Sequence, residues 1–284
     1  MAFDYNLKRI LSVLSHNRFI GANLSLSSRQ KLILNYLQQS HGVLSSSLLS
    51  QQFSISVQTI RKDMNELSDK GMVRRVHGGI SLPSANDNLS FTNREMINVS
   101  AKQLIAQAVA EQLEKGTSIF LGIGTTPKHV AQALLDHPGL TVVTNNINAA
   151  LMLSRNPNIT IYLAGGMVRS SDEDTVGESA TDFYRQFNIK IGIFGVGALG
   201  QNGELLDFTP EEASLSRAII EQSQQCWLVA DKTKLGRYAP IVSGMLSEIK
   251  RLFVEVTTDK IQQLCLSNDV ELVVSQGGSS CPLL

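Results

Sequence analysis

The feature that most constrains the fold of this chain is a regular alternation of short apolar segments and helical segments between residues 118 and 275. The apolar segments are nearly continuous runs of Val, Ile, Leu and Phe, as expected of strands that are covered on both faces. This alternation predicts an α/β domain in which helices cover both faces of a mostly parallel sheet. The predicted strands are residues 118–121, 141–144, 160–164, 189–196, 226–230, 251–256 and 271–275.

A different pattern precedes this domain, because the N-terminal third of the chain contains capped helical segments and a short hairpin. A first helix begins at Arg29, Ser45 can cap a short second helix, and Ser56 can cap a third. Gly78 and Gly79 separate two short alternating segments and predict the turn of a β-wing. The order of these elements predicts a winged helix-turn-helix.

Formal charge is segregated along the chain, although its sum is zero. Residues 1–83 hold ten Lys or Arg against four Asp or Glu, a balance of +6, whereas residues 84–284 hold fifteen against twenty-one, a balance of −6. A basic module favours DNA phosphates through counterion release, and an acidic domain is repelled by them. Double-stranded DNA is therefore the expected partner of the N-terminal module.

The third helix of the module carries polar and cationic side chains on one face. Gln58 suits an adenine edge and Arg61 a guanine edge, whereas Thr59 and Lys62 suit phosphates or thymine methyl groups. Cations on the wing are expected to reach the flanking backbone or the minor groove. The alternative is a solvated face of a small helical bundle. The predicted DNA-binding residues are Ser56, Gln58, Thr59, Arg61, Lys62, Arg74, Arg75 and His77.

Polar residues follow several predicted strands of the second domain, where ligands bind in parallel α/β folds. Gly124, Thr125 and Thr126 precede Pro127 at a helix start, where free N–H groups can hold a phosphate and either threonine can act as the cap. At later strand ends, the amides of Asn145 and Asn146 suit the hydroxyl groups of a sugar or polyol, and Lys234 suits a negative charge. The alternative is that these residues only form turns and first helical turns. The predicted effector-binding residues are Gly124, Thr125, Thr126, Asn145, Asn146, Gly165, Gly166, Arg169, Glu212, Asp231 and Lys234.

These motifs resemble those of the DeoR family of bacterial transcriptional regulators. The resemblance rests on Ser56…Thr59-Ile60-Arg61-Lys62-Asp63, Gly124-Thr125-Thr126, Thr144-Asn145-Asn146, Ala164-Gly165-Gly166…Arg169, Gly177-Glu178, Glu212 and Asp231…Lys234…Gly236. It implies a repressor whose second domain, akin in fold to ribose-5-phosphate isomerase, releases operator DNA when it binds a phosphorylated metabolite. Glycerol-3-phosphate is the leading candidate. A homodimer or homotetramer is also implied, because such repressors read paired half-sites.

Two positions depart from the family pattern. Lys62 stands where Arg is more frequent, which keeps the charge but loses bidentate geometry. Gly122 stands where many members carry Asp two residues before Gly-Thr-Thr, so one carboxylate that could contact the effector is missing.

The predicted organisation is an N-terminal extension of unknown role at residues 1–28, the winged module at 29–83, a linker at 84–94 and the sensing and oligomerisation domain at 95–284. A sugar-phosphate isomerase or deaminase and a DNA-binding protein with a purely oligomerising second domain are the alternatives. The basic module argues against an enzyme, so no catalytic residue is expected.

The expected environment of the chain is the cytoplasm. No segment approaches the roughly 20 uninterrupted apolar residues of a membrane span. The three cysteines lack the spacing of a metal site or a disulfide framework, so neither a metal nor a cofactor is expected.

Overall fold

A computed structural model describes residues 26–40, 43–76, 78–81 and 91–275. The chain divides into two compact units, Met1–Leu82 and Pro83–Leu284. The predicted N-terminal extension lies outside the described residues up to residue 25.

The first unit is a winged helix-turn-helix. Its helices are α1 (Ser28–Ser40), α2 (Ser46–Phe53) and α3 (Val57–Asp69), and its strands are β1 (Val43–Ser45), β2 (Arg74–Val76) and β3 (Gly79–Ser81). The strands form an antiparallel sheet in the order β1-β3-β2. The helices enclose a core that includes Ile33, Leu37, Leu49, Ile60, Met64 and Leu67, all fully buried.

Both predicted serine caps are present in this unit. The Ser45 hydroxyl accepts a hydrogen bond from the Leu48 N–H at 3.1 Å, and the Ser56 hydroxyl accepts one from the Thr59 N–H at 3.2 Å. Strand β1 was not predicted, because its three residues become a strand only by pairing with β3. A Cβ at Gly79 would lie 2.3 Å from the Leu44 carbonyl oxygen, so this pairing requires glycine.

The second unit contains a seven-stranded parallel sheet. Its strands are β4 (Thr117–Leu121), β5 (Leu140–Thr144), β6 (Ile159–Leu163), β9 (Ile189–Phe194), β12 (Ser223–Val229), β14 (Arg251–Val254) and β15 (Glu271–Val274). They lie in the order β15-β14-β12-β9-β4-β5-β6, and every neighbouring pair is parallel. All seven predicted strands take part, which confirms the α/β prediction.

Helices cover both faces of this sheet. They are α4 (Phe91–Met96), α5 (Val99–Ala110), α6 (Thr125–Ala133), α7 (Ile147–Leu153), α8 (Glu178–Arg185), α9 (Pro210–Glu221) and α10 (Asp259–Ser267). One apolar cluster lies between the sheet and the α8 and α9 side, and a second lies on the α5 and α6 side. Among the described residues, no helix combines the length and the apolar character that crossing a membrane requires.

Short strands that were not predicted are added at the carboxyl edge of the sheet. Strands β7 (Met167–Arg169) and β8 (Asp174–Val176) form a hairpin. Strands β10 (Ala198–Leu199), β11 (Glu204–Asp207) and β13 (Ile241–Met245) form a small antiparallel sheet.

The start of this unit differs from the predicted linker. It also differs from a second expectation from the sequence, which was one continuous amphipathic helix from about residue 90 to about Glu114. Residues 91–94 belong to α4, and Phe91 is buried, so these residues are part of the second unit. The helix is interrupted at Asn98, which has a φ of +53°. The Lys102 ammonium donates to the carbonyl oxygens of Arg94 and Ile97, which satisfies backbone acceptors at the end of α4.

Candidate DNA-reading surface and effector cavity

Helix α3 presents the predicted reading side chains to solvent. Gln58, Arg61 and Lys62 are exposed, whereas Ile60 and Met64 of the same helix are buried. This division is the one expected of a helix that packs on its own core with one face and reads DNA with the other.

The start of α3 is held by its own hydroxyl groups. Ser56 Oγ lies 2.8 Å from Thr59 Oγ1, in addition to its bond with the Thr59 N–H. Both predicted DNA ligands are therefore also structural, since they cap the helix that carries Arg61. On the wing, Arg74 and Arg75 are exposed, and His77 lies outside the described residues.

An ion pair that sequence reasoning missed fixes α3 against α1. Arg29 forms a two-point contact with Asp63, in which Nη2 donates to Oδ1 at 3.0 Å and Nε donates to Oδ2. One turn further, Gln30 Nε2 donates to Glu66 Oε2 at 2.7 Å. The Asp63 side chain is buried, so this carboxylate depends on its partner. A buried acidic position on an otherwise apolar helix face was the only sequence signal for this contact.

The second unit contains a cavity of about 40 Å³ at the carboxyl ends of β4 and β9. Five predicted effector residues line it: Gly124, Thr125, Thr126, Glu212 and Lys234. The other lining residues that matter for its charge are Arg94, Asp172 and Asp207. The structure thus brings together the threonine motif and the lysine, which lie more than a hundred residues apart in the chain.

The threonines do not cap α6, contrary to the prediction. Gly124 is the N-cap, with a φ of +110°, and no side chain caps the helix there. Thr125 and Thr126 occupy the first two helical positions, and their hydroxyls make no hydrogen bond to a described residue. The helix start therefore offers uncapped N–H groups, two hydroxyls and the positive end of the helix dipole to the cavity.

Lys234 lies in a cationic environment. Burial, together with the positive charges of Arg94, Arg237 and Lys102, lowers the pKa of its ammonium to about 7, against the opposing effect of Asp231. Burial also lowers the pKa of Lys102 to about 8. A nearby negative charge would stabilise the protonated form of both amines, so this corner of the unit favours binding of an anion.

Carboxylates that line the cavity or lie next to its lining residues are largely paired. Arg169 donates to both oxygens of Asp174, at 2.9 and 2.6 Å, and to Glu212 at 2.9 Å. The second Glu212 oxygen accepts the Phe208 N–H at 3.2 Å. Both Glu212 oxygens are thus held by contacts within the protein. Asp207 accepts hydrogen bonds from the Gly197 N–H and from Ser216, and burial raises its pKa.

Six of the predicted effector residues do not line the cavity: Asn145, Asn146, Gly165, Gly166, Arg169 and Asp231. The Asn145 amide is held by the Thr175 carbonyl at 2.7 Å and by the Tyr184 hydroxyl at 2.7 Å. The Asn146 Oδ1 caps α7 through the Ala149 N–H. Both polar atoms of the Asn145 amide are thus used within the protein, whereas the buried Asn146 Nδ2 makes no hydrogen bond to a described residue. Contact of either residue with an effector remains a prediction.

Asp231 and the glycine pair also have roles within the protein. The Asp231 carboxylate accepts from Thr233 and from Asn98 Nδ2, at 3.3 Å for the latter, and its charge opposes the loss of the Lys234 proton. A Cβ at Gly166, which has a φ of +155°, would lie 2.7 Å from the Val176 carbonyl oxygen. Gly165 has no such neighbour.

Comparison with known families decides what these two units are. A model of the DeoR-like helix-turn-helix domain matches residues 29–86, and a model of the DeoR C terminal sensor domain matches residues 97–256. The chain belongs to the DeoR family. Its relatives include proteins named glycerol-3-phosphate regulon repressor. The one from Escherichia coli (strain K12) is 38% identical over 247 residues, 87% of this chain and 98% of the relative, and the one from Haemophilus influenzae is 39% identical over 251 residues, 88% and 98%.

Among solved structures, ribose 5-phosphate isomerase A from Methanocaldococcus jannaschii aligns with 49% of this chain and 55% of its own, at 12% identity and a TM-score of 0.36. The DeoR-family domains and relatives make this chain a DNA-binding transcriptional repressor and not an enzyme.

Sequence reasoning missed three residues of the DeoR-family sensing unit: Arg94, Asp172 and Lys102. Arg94 was assigned to the linker, yet it lines the cavity and forms an ion pair with Asp172. Lys102 was read as part of an amphipathic helix. Its spacing from Ile105, Ala106 and Val109 places it on the buried face, and a lysine at such a position is a sequence signal of a buried cation.

Gly122, the departure from the DeoR-family pattern, lies in a tightly packed site. A Cβ there would be 2.9 Å from the Phe194 Cβ and 3.3 Å from the Ile219 Cδ1. Phe194 Cβ cannot move without its backbone, so the packing at this position leaves no room for a side chain larger than that of glycine.

We therefore expect Gly122→Asp to destabilise the second unit rather than to restore an effector contact. Overpacking of this kind costs about 1–3 kcal/mol of unfolding free energy. Urea unfolding followed by the fluorescence of Trp227, the single tryptophan of the chain, measures the change. Gly165→Asp is the matched control, because a Cβ at Gly165 has open space. Equal midpoints for Gly122→Asp and the parent would contradict the packing argument.

Proposed function

We propose that this repressor reads paired operator half-sites with α3 and the wing, and leaves DNA when a phosphorylated metabolite of three to six carbons binds the cavity of the second unit. The observation that carries the effector proposal is the meeting of an uncapped helix start with Lys234 and Arg94 in one cavity. Glycerol-3-phosphate is the first ligand to test, in keeping with the names of the two relatives.

The cavity chemistry supports a phosphate joined to a polyol. A phosphate accepts hydrogen bonds from the α6 N–H groups and from Thr125 and Thr126, while Lys234 adds a charge-assisted contact. The hydroxyl groups of a polyol can donate to the carboxylates of Asp207 and Asp172, which also line the cavity. Inorganic phosphate lacks the hydroxyl groups that would contact the carboxylates, and glycerol lacks the phosphate that would contact the helix start and Lys234.

Binding of the effector can be coupled to release from DNA through the movement of a side chain. A cavity of about 40 Å³ is small for a phosphorylated polyol, so we expect ligand binding to displace a side chain that lines it. Arg94 is the side chain we expect to move, because a dianion competes with Asp172 for its guanidinium. Arg94 lies on α4, the first helix after the segment that joins the two units. Coupling of about 1–3 kcal/mol would change operator affinity about 5- to 150-fold.

A homodimer or homotetramer is part of this proposal, because one chain carries one reading helix and paired half-sites need two. Binding to chromosomal DNA also places the working protein in the cytoplasm.

The experiment that tests the effector proposal is calorimetric titration of the full chain with glycerol-3-phosphate, phosphorylated sugars of four to six carbons, inorganic phosphate and glycerol. Saturable binding of one phosphorylated polyol, and a weaker operator complex in its presence, supports the proposal. If no phosphorylated compound binds, the second unit serves oligomerisation only, which is the alternative reading.

Operator binding is expected to depend steeply on salt. Lys62, Arg74 and Arg75 are exposed cations beside the reading helix, and each phosphate they neutralise contributes about 0.9 to the slope of log affinity against log salt. Gel shifts at several salt concentrations measure the slope. A flat response would contradict DNA binding through this surface.

A further inference from the structure

We propose that the free edge of the large sheet is the surface on which two copies of this chain associate about a two-fold axis. We call this surface the β6–β7 edge and define it by Thr160, Tyr162, Leu163, Met167 and Val168. The inference rests on the homo-oligomer of the proposed function and deepens it, because it assigns the contact between copies to a particular surface.

Within the part of the chain that the structure describes, strand β6 is the last strand of the sheet and pairs with β5 along one side only. Its sequence, Ile-Thr-Ile-Tyr-Leu, carries no charge over five residues. An uncharged edge strand of this length exposes a row of backbone N–H and C=O groups that another strand can pair with, and soluble proteins normally protect such an edge.

The opposite edge of the same sheet is protected. Strand β15 begins with Glu271, whose carboxylate accepts a hydrogen bond from Arg251 Nε at 2.7 Å on the neighbouring strand. A charge at an edge strand discourages pairing with another chain. Strand β15 is protected against pairing with another chain and strand β6 is not, which indicates that the β6 edge serves as a contact surface.

Apolar side chains are exposed at and just after β6. Tyr162 and Leu163 are each 45% exposed, and Met167 and Val168, which follow the turn at Gly165 and Gly166, are 65% and 59% exposed. Leu151, on the helix α7 that packs against β6, is 64% exposed. Apolar side chains grouped in this way mark an interaction surface, whereas a single exposed apolar side chain does not.

A second copy of the chain is the occupant that fits this surface best. A two-fold axis normal to the sheet sets two β6 strands antiparallel, so their backbone groups can pair and the two sheets become continuous. The defined residues carry no charge, so the surface meets itself without like-charge repulsion.

The experiment measures the mass of the full-length protein in solution at micromolar concentration, by light scattering or sedimentation, without DNA or effector. We expect a dimer or a multiple of a dimer. Leu163→Glu and Leu163→Lys each bring a charge of the same sign from both copies into the paired edge, where it loses water without gaining a partner, so each should halve the mass and weaken association about 100-fold or more.

Leu266→Glu is the matched control, since Leu266 is 81% exposed on α10, outside the β6–β7 edge. It should keep the parent mass. Met167→Glu is a second variant at the edge, and thermal unfolding confirms that each variant is folded. A monomeric parent, or Leu163 and Met167 variants that keep the parent mass, would overturn the proposal; in the second case copies associate elsewhere and another part of the chain or another protein covers this edge.

Discussion

Lys234→Ala is expected to weaken binding of a phosphorylated effector about 10- to 150-fold, since a hydrogen bond to a charged group contributes about 1.5–3 kcal/mol. Lys234 lines the cavity beside the uncapped start of α6. The variant should therefore stay on operator DNA at effector concentrations that release the parent, while its operator affinity without effector is unchanged. Calorimetry and gel shifts measure the two quantities separately.

The pH dependence of effector binding gives an independent signature of the same amine. The free protein holds the pKa of Lys234 at about 7, and a bound dianion raises it, so the charged amine binds more tightly. Affinity should be fully developed below pH 7 for this group and should fall between pH 7 and 9, where the phosphate stays dianionic. Lys234→Ala should remove most of this slope, leaving any contribution from Lys102, whose pKa is about 8.

Lys232→Ala is the matched control for Lys234→Ala. Both lysines lie in the same short 3-10 helix (Lys232–Lys234), but Lys232 is exposed and does not line the cavity. It should respond to effector like the parent. If Lys234→Ala also responds like the parent and keeps the pH slope, Lys234 is not part of the effector site.

Arg61→Ala is expected to weaken specific operator binding by about 1–3 kcal/mol, or about 5- to 150-fold, and to relax discrimination at one base pair. Arg61 is an exposed residue on α3, and its neighbour Ile60 is buried in the core against which the helix packs. Effector binding should not change. Gel shifts at constant salt with the operator and with single-base variants of it measure both effects.

Two comparison variants separate base reading from general charge. Lys62→Ala should weaken binding to all sequences equally and reduce the salt slope by about 1, because lysine contacts phosphate as a point charge. Arg155→Ala removes the same charge from an exposed position of the second unit and should leave operator binding unchanged. Equal discrimination by Arg61→Ala and the parent would show that Arg61 does not read a base.

Local signals predicted much of the fold. Ser45 and Ser56 act as caps because a serine hydroxyl reaches an N–H three residues ahead in any helix start. The seven strands of the large sheet were recognisable because strands buried on both faces are apolar throughout. The break at Asn98 was missed, since the helix on each side is compatible with one continuous amphipathic pattern.

The candidate sites were only half predictable for a related reason. Thr125, Thr126 and Lys234 carry chemistry at strand ends, so their residue types and positions indicated a site. The pairing of Arg94 with Asp172 joins residues 78 positions apart, and no local pattern encodes it. The same holds for Arg29 and Asp63, which are 34 positions apart and fix the position of α3 against α1.

The sequence by itself determined which segments become helices and strands, which unit is basic, and which side chains α3 presents outward, because periodicity, capping and charge act over a few residues. Only the tertiary structure decided which polar residues face a ligand and which hold the protein together. It tied Asn145 to Thr175 and Tyr184, paired Arg169 with Glu212, and left Lys234 in a shared cavity with the α6 start. The physical reason is that a buried polar group must find its partner in space, and that partner comes from whichever strand end the sheet order places beside it.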